Sequence, residues 1–218
     1  MKETNPNVPG DQAPEQTLKE IKQMMERSSR FISLSGLSGI AAGICALIGA
    51  RFAYRMLDGA PVPEDYSPGL RAAVMNDPLT WQLLGLAAVT LILAFSTAFF
   101  LTWRKAKKDN LPVWDHTSRR LIWNVLLPVM AGGLFILGML QYGELRFIAP
   151  ACLVFYGLAL INGSKYTLSD IRYLGYLEII LGIINMWFIG YGLLFWTIGF
   201  GVLHIIYGTI MWWKYERN

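Results

Sequence analysis

Charge is what this chain has least of. Of its 218 residues only 16% are Asp, Glu, Lys or Arg, against roughly 25% in a soluble globular chain. Apolar residues make up 54%, 21 glycines come on top of them, and mean hydropathy is +0.40. So few charges cannot clothe a water-facing surface, which excludes a disordered chain and an ordinary soluble enzyme. Cysteine is scarcer still. Cys45 and Cys152 both lie in apolar runs without CxxC spacing. Neither a secreted disulfide scaffold nor a thiolate metal or redox site is indicated. Only two histidines occur, and GxGxxG, Walker, HExxH and shared Ser/His/Asp patterns are all missing. The chain is read as a non-enzyme, with no catalytic residue, cofactor or metal.

What it has instead is long uncharged stretches. Phe31–Ala50 runs for 20 residues, Leu79–Trp103 for 25, Leu121–Gly143 for 23 and Phe147–Ser164 for 18. Tyr173–Trp213 runs for 41 residues, interrupted by Glu178 and His204 alone. One crossing needs about 20 residues, so this last stretch holds two helices with a turn at Gly190-Tyr191-Gly192. The expectation is an all-α polytopic membrane protein with six transmembrane helices over about 31–50, 79–103, 121–142, 147–164, 172–189 and 193–213. The first is expected to be a retained signal-anchor, since a polar segment precedes it and its apolar core is long.

Lysine and arginine set the orientation. Fifteen of the 19 fall in the N-terminal tail, the second loop, the fourth loop and the C-terminus; four fall in the other loops. The positive-inside rule then puts both termini in the cytoplasm. Tryptophans 81, 103, 123, 187, 196, 212 and 213 lie near the predicted helix ends, as interfacial anchors do.

Outside the spans little is expected. Residues 1–16 read as disordered, and 17–30 as a juxtamembrane helix with Leu18, Ile21 and Met25 on one face. The 58–78 loop is external, while 214–218 forms a cytoplasmic tail. The basic 104–120 stretch is suited to anionic lipid in the bilayer rather than to nucleic acid. Within it Asp115 and Thr117 are positioned to cap span three.

Polar residues inside the spans carry the functional signal, because each needs a partner or a role. On span five Gly175, Glu178, Gly182 and Asn185 share one face, and on span six Thr197, Gly201, His204 and Gly208 do the same. Glu178 lies twelve residues before Gly190, and His204 twelve after Gly192. Folding the hairpin predicts a Glu178–His204 hydrogen bond or ion pair, an Asn185–Thr197 contact, and glycines that bring these two helices together. Tyr207 flanks the pair. Asn124, before Pro128, and Asn162 lie at similar depth and are expected to meet. Ser35, Gly39 and Gly43 form a small-residue ladder for packing within the bundle or across a homo-oligomer.

Tyr142-Gly143, Tyr156-Gly157 and Lys165-Tyr166 echo Tyr191-Gly192, Tyr207-Gly208 and Lys214-Tyr215 at offsets of 49, 51 and 49. Spans three–four and five–six therefore read as related hairpins. The segments SSRFISLSGLSGIAAGICALIGA, SKYTLSDIRYLGYLEIILG and GLLFWTIGFGVLHIIYG resemble a group of small uncharacterised bacterial six-span proteins. That resemblance implies a bacterial cytoplasmic (inner) membrane location and carries no activity. The expected role is structural, assembly or regulatory, with a small proton-linked transporter or channel centred on the last hairpin as the alternative.

Overall fold

The computed structural model describes residues 35–58, 77–109 and 114–217. The expectations for 1–30, for the start of the first span and for most of the 58–78 loop lie outside these residues. The described chain is all-helical: α1 (Gly36–Leu57), α2 (Pro78–Lys108), α3 (His116–Gln141), α4 (Ile148–Gly163) and α5 (Ile171–Trp187). Then α6 runs unbroken through an α-turn (Gly192–Trp196), a π-helical segment (Thr197–Leu203) and a final α-helix (His204–Tyr215). Short 3₁₀ turns precede α4 and α6. Five helices are long and apolar enough to cross a membrane. At 17 residues α5 sits at the short end of the spanning range.

Helix ends overrun the uncharged stretches. From Ala50 α1 continues through Arg51 and Arg55 to Leu57, and α2 continues to Lys108. A charge at a helix end does not stop the backbone ladder, and cations in a last turn favour the helix dipole. The start of α3 at His116 is set by Asp115, whose Oδ1 accepts from the Ser118 amide and hydroxyl at 2.6 Å each. Partial burial raises the Asp115 pKa, but the Ser118 bonds outweigh it and hold the carboxyl below its usual range.

The α1·α2, α3·α4 and α4·α5 pairs pack antiparallel, and α6 is antiparallel to α1. Gly36 meets Gly208 and Trp212, while Gly43, seven residues on, meets Gly201 and Ile205. A Cβ on Gly36 would sit 2.6 Å from the Gly208 carbonyl, and one on Gly208 would sit 2.7 Å from the Gly36 carbonyl. The α4·α5 crossing repeats this arrangement: Gly157 would meet the Gly175 carbonyl at 2.6 Å, and Gly175 the Gly157 carbonyl at 2.8 Å. At both crossings backbone packs on backbone, as small-residue faces allow in membranes.

These crossings correct one expectation and give the small-residue ladder a place within the bundle, one of its two expected roles. Gly175 and Gly182 face α4, and Gly201 and Gly208 face α1, so the glycine faces of the last hairpin do not close on each other. Gly39 and Gly43 lie against α6, which leaves that ladder covered within the chain. Complementary grooves choose their partners by shape, and a short connecting turn does not oblige the helices it joins to be the closest pair. Ser35 belongs to a different device. Glu216 accepts from the Gly36 amide and, at 3.2 Å, from the Ser35 hydroxyl, with Lys105 Nζ 3.4 Å away. One carboxylate thus ties the start of α1 to the ends of α2 and α6.

Asn124 and Asn162 do meet. Pro128 has no amide hydrogen, so the carbonyl of Asn124, four residues earlier, lacks its helical donor. Asn162 Nδ2 supplies one at 2.9 Å and joins α4 to α3. Outward faces of α2 and α3 carry Leu91, Phe95, Leu127 and Leu134, each more than half exposed. An apolar belt of this kind is compatible with a multi-pass membrane protein.

Candidate functional site

Among the described residues, the bundle interior has one concentration of polar side chains, at the meeting of α4, α5 and α6. Glu178 and Asn185 are 0% exposed, and His204 is 6% exposed. Glu178 sits where α6 carries Gly199: a Cβ there would lie 2.5 Å from Glu178 Oε2 and 2.5 Å from Leu153 Cδ2. Glycine at 199 is what makes room for the carboxyl.

His204 is held at both ring nitrogens. Nδ1 lies 2.9 Å from the Gly199 carbonyl, and Nε2 lies 2.8 Å from the Tyr156 hydroxyl. A carbonyl can only accept, so Nδ1 carries a proton; in the neutral ring Nε2 then accepts from Tyr156. The Gly199 contact depends on the π segment. Residues five apart project about 140° from each other on an α-helix, whereas π geometry brings i and i+5 together. The main-chain amide of His204 bonds to the Gly201 carbonyl instead.

Glu178 and His204 are neighbours, as expected, with Oε1 3.5 Å from Nδ1. The hydrogen bond is not made, because Nδ1 donates to Gly199. Both Glu178 oxygens are buried with no hydrogen-bond partner among the described residues. Such an atom costs about 1–3 kcal/mol.

The Asn185–Thr197 contact is absent. Asn185 Nδ2 donates to the Phe188 carbonyl at 3.0 Å, and Thr197 donates to the Leu193 carbonyl at 2.7 Å. The end of α5 leaves a carbonyl for the amide to satisfy, and a helical threonine readily bonds back one turn. Tyr207 lies on the same side of α6 as His204, its hydroxyl buried and without a hydrogen-bond partner among the described residues.

Two cavities flank this centre. A cleft of about 400 Å³, lined chiefly by apolar residues of α1, α2, α4 and α6, includes Cys152 and Trp196. A smaller cavity of about 100 Å³ is walled by Tyr156, His204 and Tyr207 with Ser35 and Gly39 of α1. Between them stand rings in contact: Phe200 stacks on His204 at 5.9 Å, with Trp196 and Tyr156 each tilted against Phe200 at 5.0 Å.

Tyr156, Gly199 and Phe200 were not singled out as site residues from the sequence. For Tyr156 a signal exists, since it heads a Tyr-Gly pair in register with Tyr207-Gly208, and both tyrosines line the small cavity. Gly199 and Phe200 depend on π geometry, which helical periodicity hides. No group of three or more His, Cys, Asp or Glu able to hold a metal ion occurs among the described residues. Compared with known proteins, the chain matches no family model, no curated protein and no solved structure.

Proposed function

We propose that this chain is a small proton-linked transporter or channel of the bacterial cytoplasmic membrane, working through the Glu178–His204–Tyr156 centre. The observation that carries the reading is Glu178 itself. It is wholly buried, neither oxygen has a hydrogen-bond donor among the described residues, and it adjoins a histidine whose other nitrogen is bonded to Tyr156 at a cavity wall. Intramembrane acids that are not tied off as structural pairs are characteristic of proton pathways. The π segment beside it is a form of helix found frequently at functional sites.

An arrangement of six alternating crossings suits the reading, since the antiparallel α1·α6 contact agrees with an even count. The charge bias then places the termini in the cytoplasm and the basic 104–120 stretch against anionic headgroups. The repeated Tyr-Gly pairs suit an origin of α3–α4 and α5–α6 as related hairpins. Cysteines introduced at Tyr142 and Lys165 should label from the external and cytoplasmic sides respectively; the reverse pattern would overturn the orientation.

A packing role, in structure or assembly, is the second reading, favoured by the two glycine crossings. Proteoliposomes separate the two. With a pH-sensitive dye inside and an imposed potassium diffusion potential, the wild-type protein should take up protons, and Glu178→Gln should fall to the level of protein-free vesicles. Equal uptake by wild type and Glu178→Gln, or none by wild type, would leave the packing reading.

A further inference from the structure

The two cavities differ in what they touch, and the difference gives the centre a side. The walls of the small one come from the start of α1 (Ser35, Gly39), the start of α5 (Leu174) and the later turns of α6 (His204, Tyr207), with Tyr156 of α4. All face the end of the bundle where Glu216 holds Ser35 and Gly36. At the opposite end, the cleft stops at Trp196. Phe200 then closes the way to His204, its ring inclined by only 17° to the imidazole. Glu178 lines neither cavity.

Of the groups that wall the small cavity, His204 is the one that adjoins Glu178, at 3.5 Å. The titratable groups facing this centre are Tyr156 from α4, Glu178 from α5, and His204 and Tyr207 from α6; α1 presents glycine there. About 100 Å³ is room for a few waters at roughly 30 Å³ each, and a buried water needs two to four polar partners. Hydroxyls of Tyr156, Tyr207 and Ser35 are at hand, and that of Tyr207 is without a partner among the described residues.

The geometry points to a water-holding proton-entry site in this small cavity, which loads Glu178 from the terminal end of the bundle through Tyr156 and His204. The inference rests on the proton-linked reading and adds its route and its side. Each transfer balances. A hydrated proton in the cavity passes to the Tyr156 oxygen as the hydroxyl proton moves to His204 Nε2. Nδ1 then releases its proton to Glu178 Oε1, which closes from 3.5 Å, and the ring is left as the Nε2–H tautomer. Reverse passage restores it. The net change is one proton moved from hydronium to carboxylate, with the imidazole proton shifted from Nδ1 to Nε2.

Infrared spectroscopy of the full-length protein in lipid tests the route. The Glu178 carboxyl C=O stretch is assigned as the band lost in Glu178→Gln, and its shift on transfer to D₂O measures access. His204→Phe, which cannot relay, should slow that shift by about 100-fold, a typical contribution of a positioned acid–base group. Leu174→Phe, which fills the cavity and leaves the relay residues in place, should slow it as well. A band that shifts in both variants as fast as in wild type overturns the route. If His204→Phe does not fold, Leu174→Phe decides alone. Potential-driven proton uptake that is indifferent to Glu178→Gln would instead remove the parent reading. Uptake that needs Glu178 but ignores Leu174→Phe removes only the route.

Discussion

Replacing Gly157 by alanine would place a methyl carbon 2.6 Å from the Gly175 carbonyl oxygen and 3.0 Å from the Ile179 amide nitrogen. Ordinary contact begins near 3.4 Å, so α4 and α5 would have to part by roughly 0.8 Å at this point. The obstacle is backbone, which cannot swing aside as a side chain does. Overpacking of this kind costs about 1–3 kcal/mol, partly offset by the better helix propensity of alanine, worth up to about 1 kcal/mol. Gly175→Ala presents the same clash from the other helix, with its methyl 2.8 Å from the Gly157 carbonyl. Because either methyl alone forces the same separation, the double variant should cost about 1 kcal/mol or more less than the sum of the two singles. Gly133→Ala is the control, with nothing within 4 Å of its Cβ position. Thermal or denaturant unfolding in detergent, followed by circular dichroism, reads all four proteins. Additive costs, or a Gly157→Ala protein as stable as Gly133→Ala, would refute the backbone-on-backbone account of this crossing.

Glu178→Leu should fold and gain about 1–3 kcal/mol, because it removes two unsatisfied buried oxygens while His204 keeps Gly199 and Tyr156; unfolding in detergent measures it, and a loss of stability would show that the acid is structurally satisfied. Gly199→Ala should destabilise by about 1–3 kcal/mol, since its methyl would lie 2.5 Å from both the carboxyl and Leu153; an unchanged unfolding midpoint would deny that the two helices are this close. Glu216→Gln should lower stability by about 1 kcal/mol by weakening the anchor at the start of α1, and an effect that persists undiminished in a Lys105→Met background would identify the α1 amide and Ser35, rather than Lys105, as its source. The Lys214 hydrogen bond, followed by that from Tyr215, holds the Asp170 carboxyl below its usual range. Its stabilisation is therefore present above the ordinary carboxyl range and is lost as pH falls through the lowered value; Lys214→Met should flatten this acid limb of the stability profile, and an unchanged limb would discount the contact.

Much of the architecture was legible in the chain itself, because a bilayer-sized run of uncharged residues has few other uses. Six helical segments, the turn at Gly190–Gly192, the Asp115 cap and the neighbourhood of Glu178 with His204 all follow from length, spacing and depth. So does the Asn124–Asn162 contact, since the two lie at similar depth, while the carbonyl that Pro128 leaves without a helical donor is what the structure adds. Helix ends were less legible, because basic residues that end an apolar run continue a helix without penalty.

What the tertiary structure alone decided is which helices embrace. Gly157, Gly175, Gly201 and Gly208 announce close approach but not its partner; groove fitted to groove selected α4·α5 and α1·α6 over the hairpin expected from connectivity. The same holds at the polar centre. Periodicity put Glu178 and His204 at one depth, yet the π segment turned the Gly199 carbonyl toward the imidazole, where it accepts the Nδ1 hydrogen bond and leaves the carboxyl without a donor among the described residues. A hydrogen bond has one best acceptor in three dimensions, and residue spacing along a helix does not say which of two neighbours will provide it.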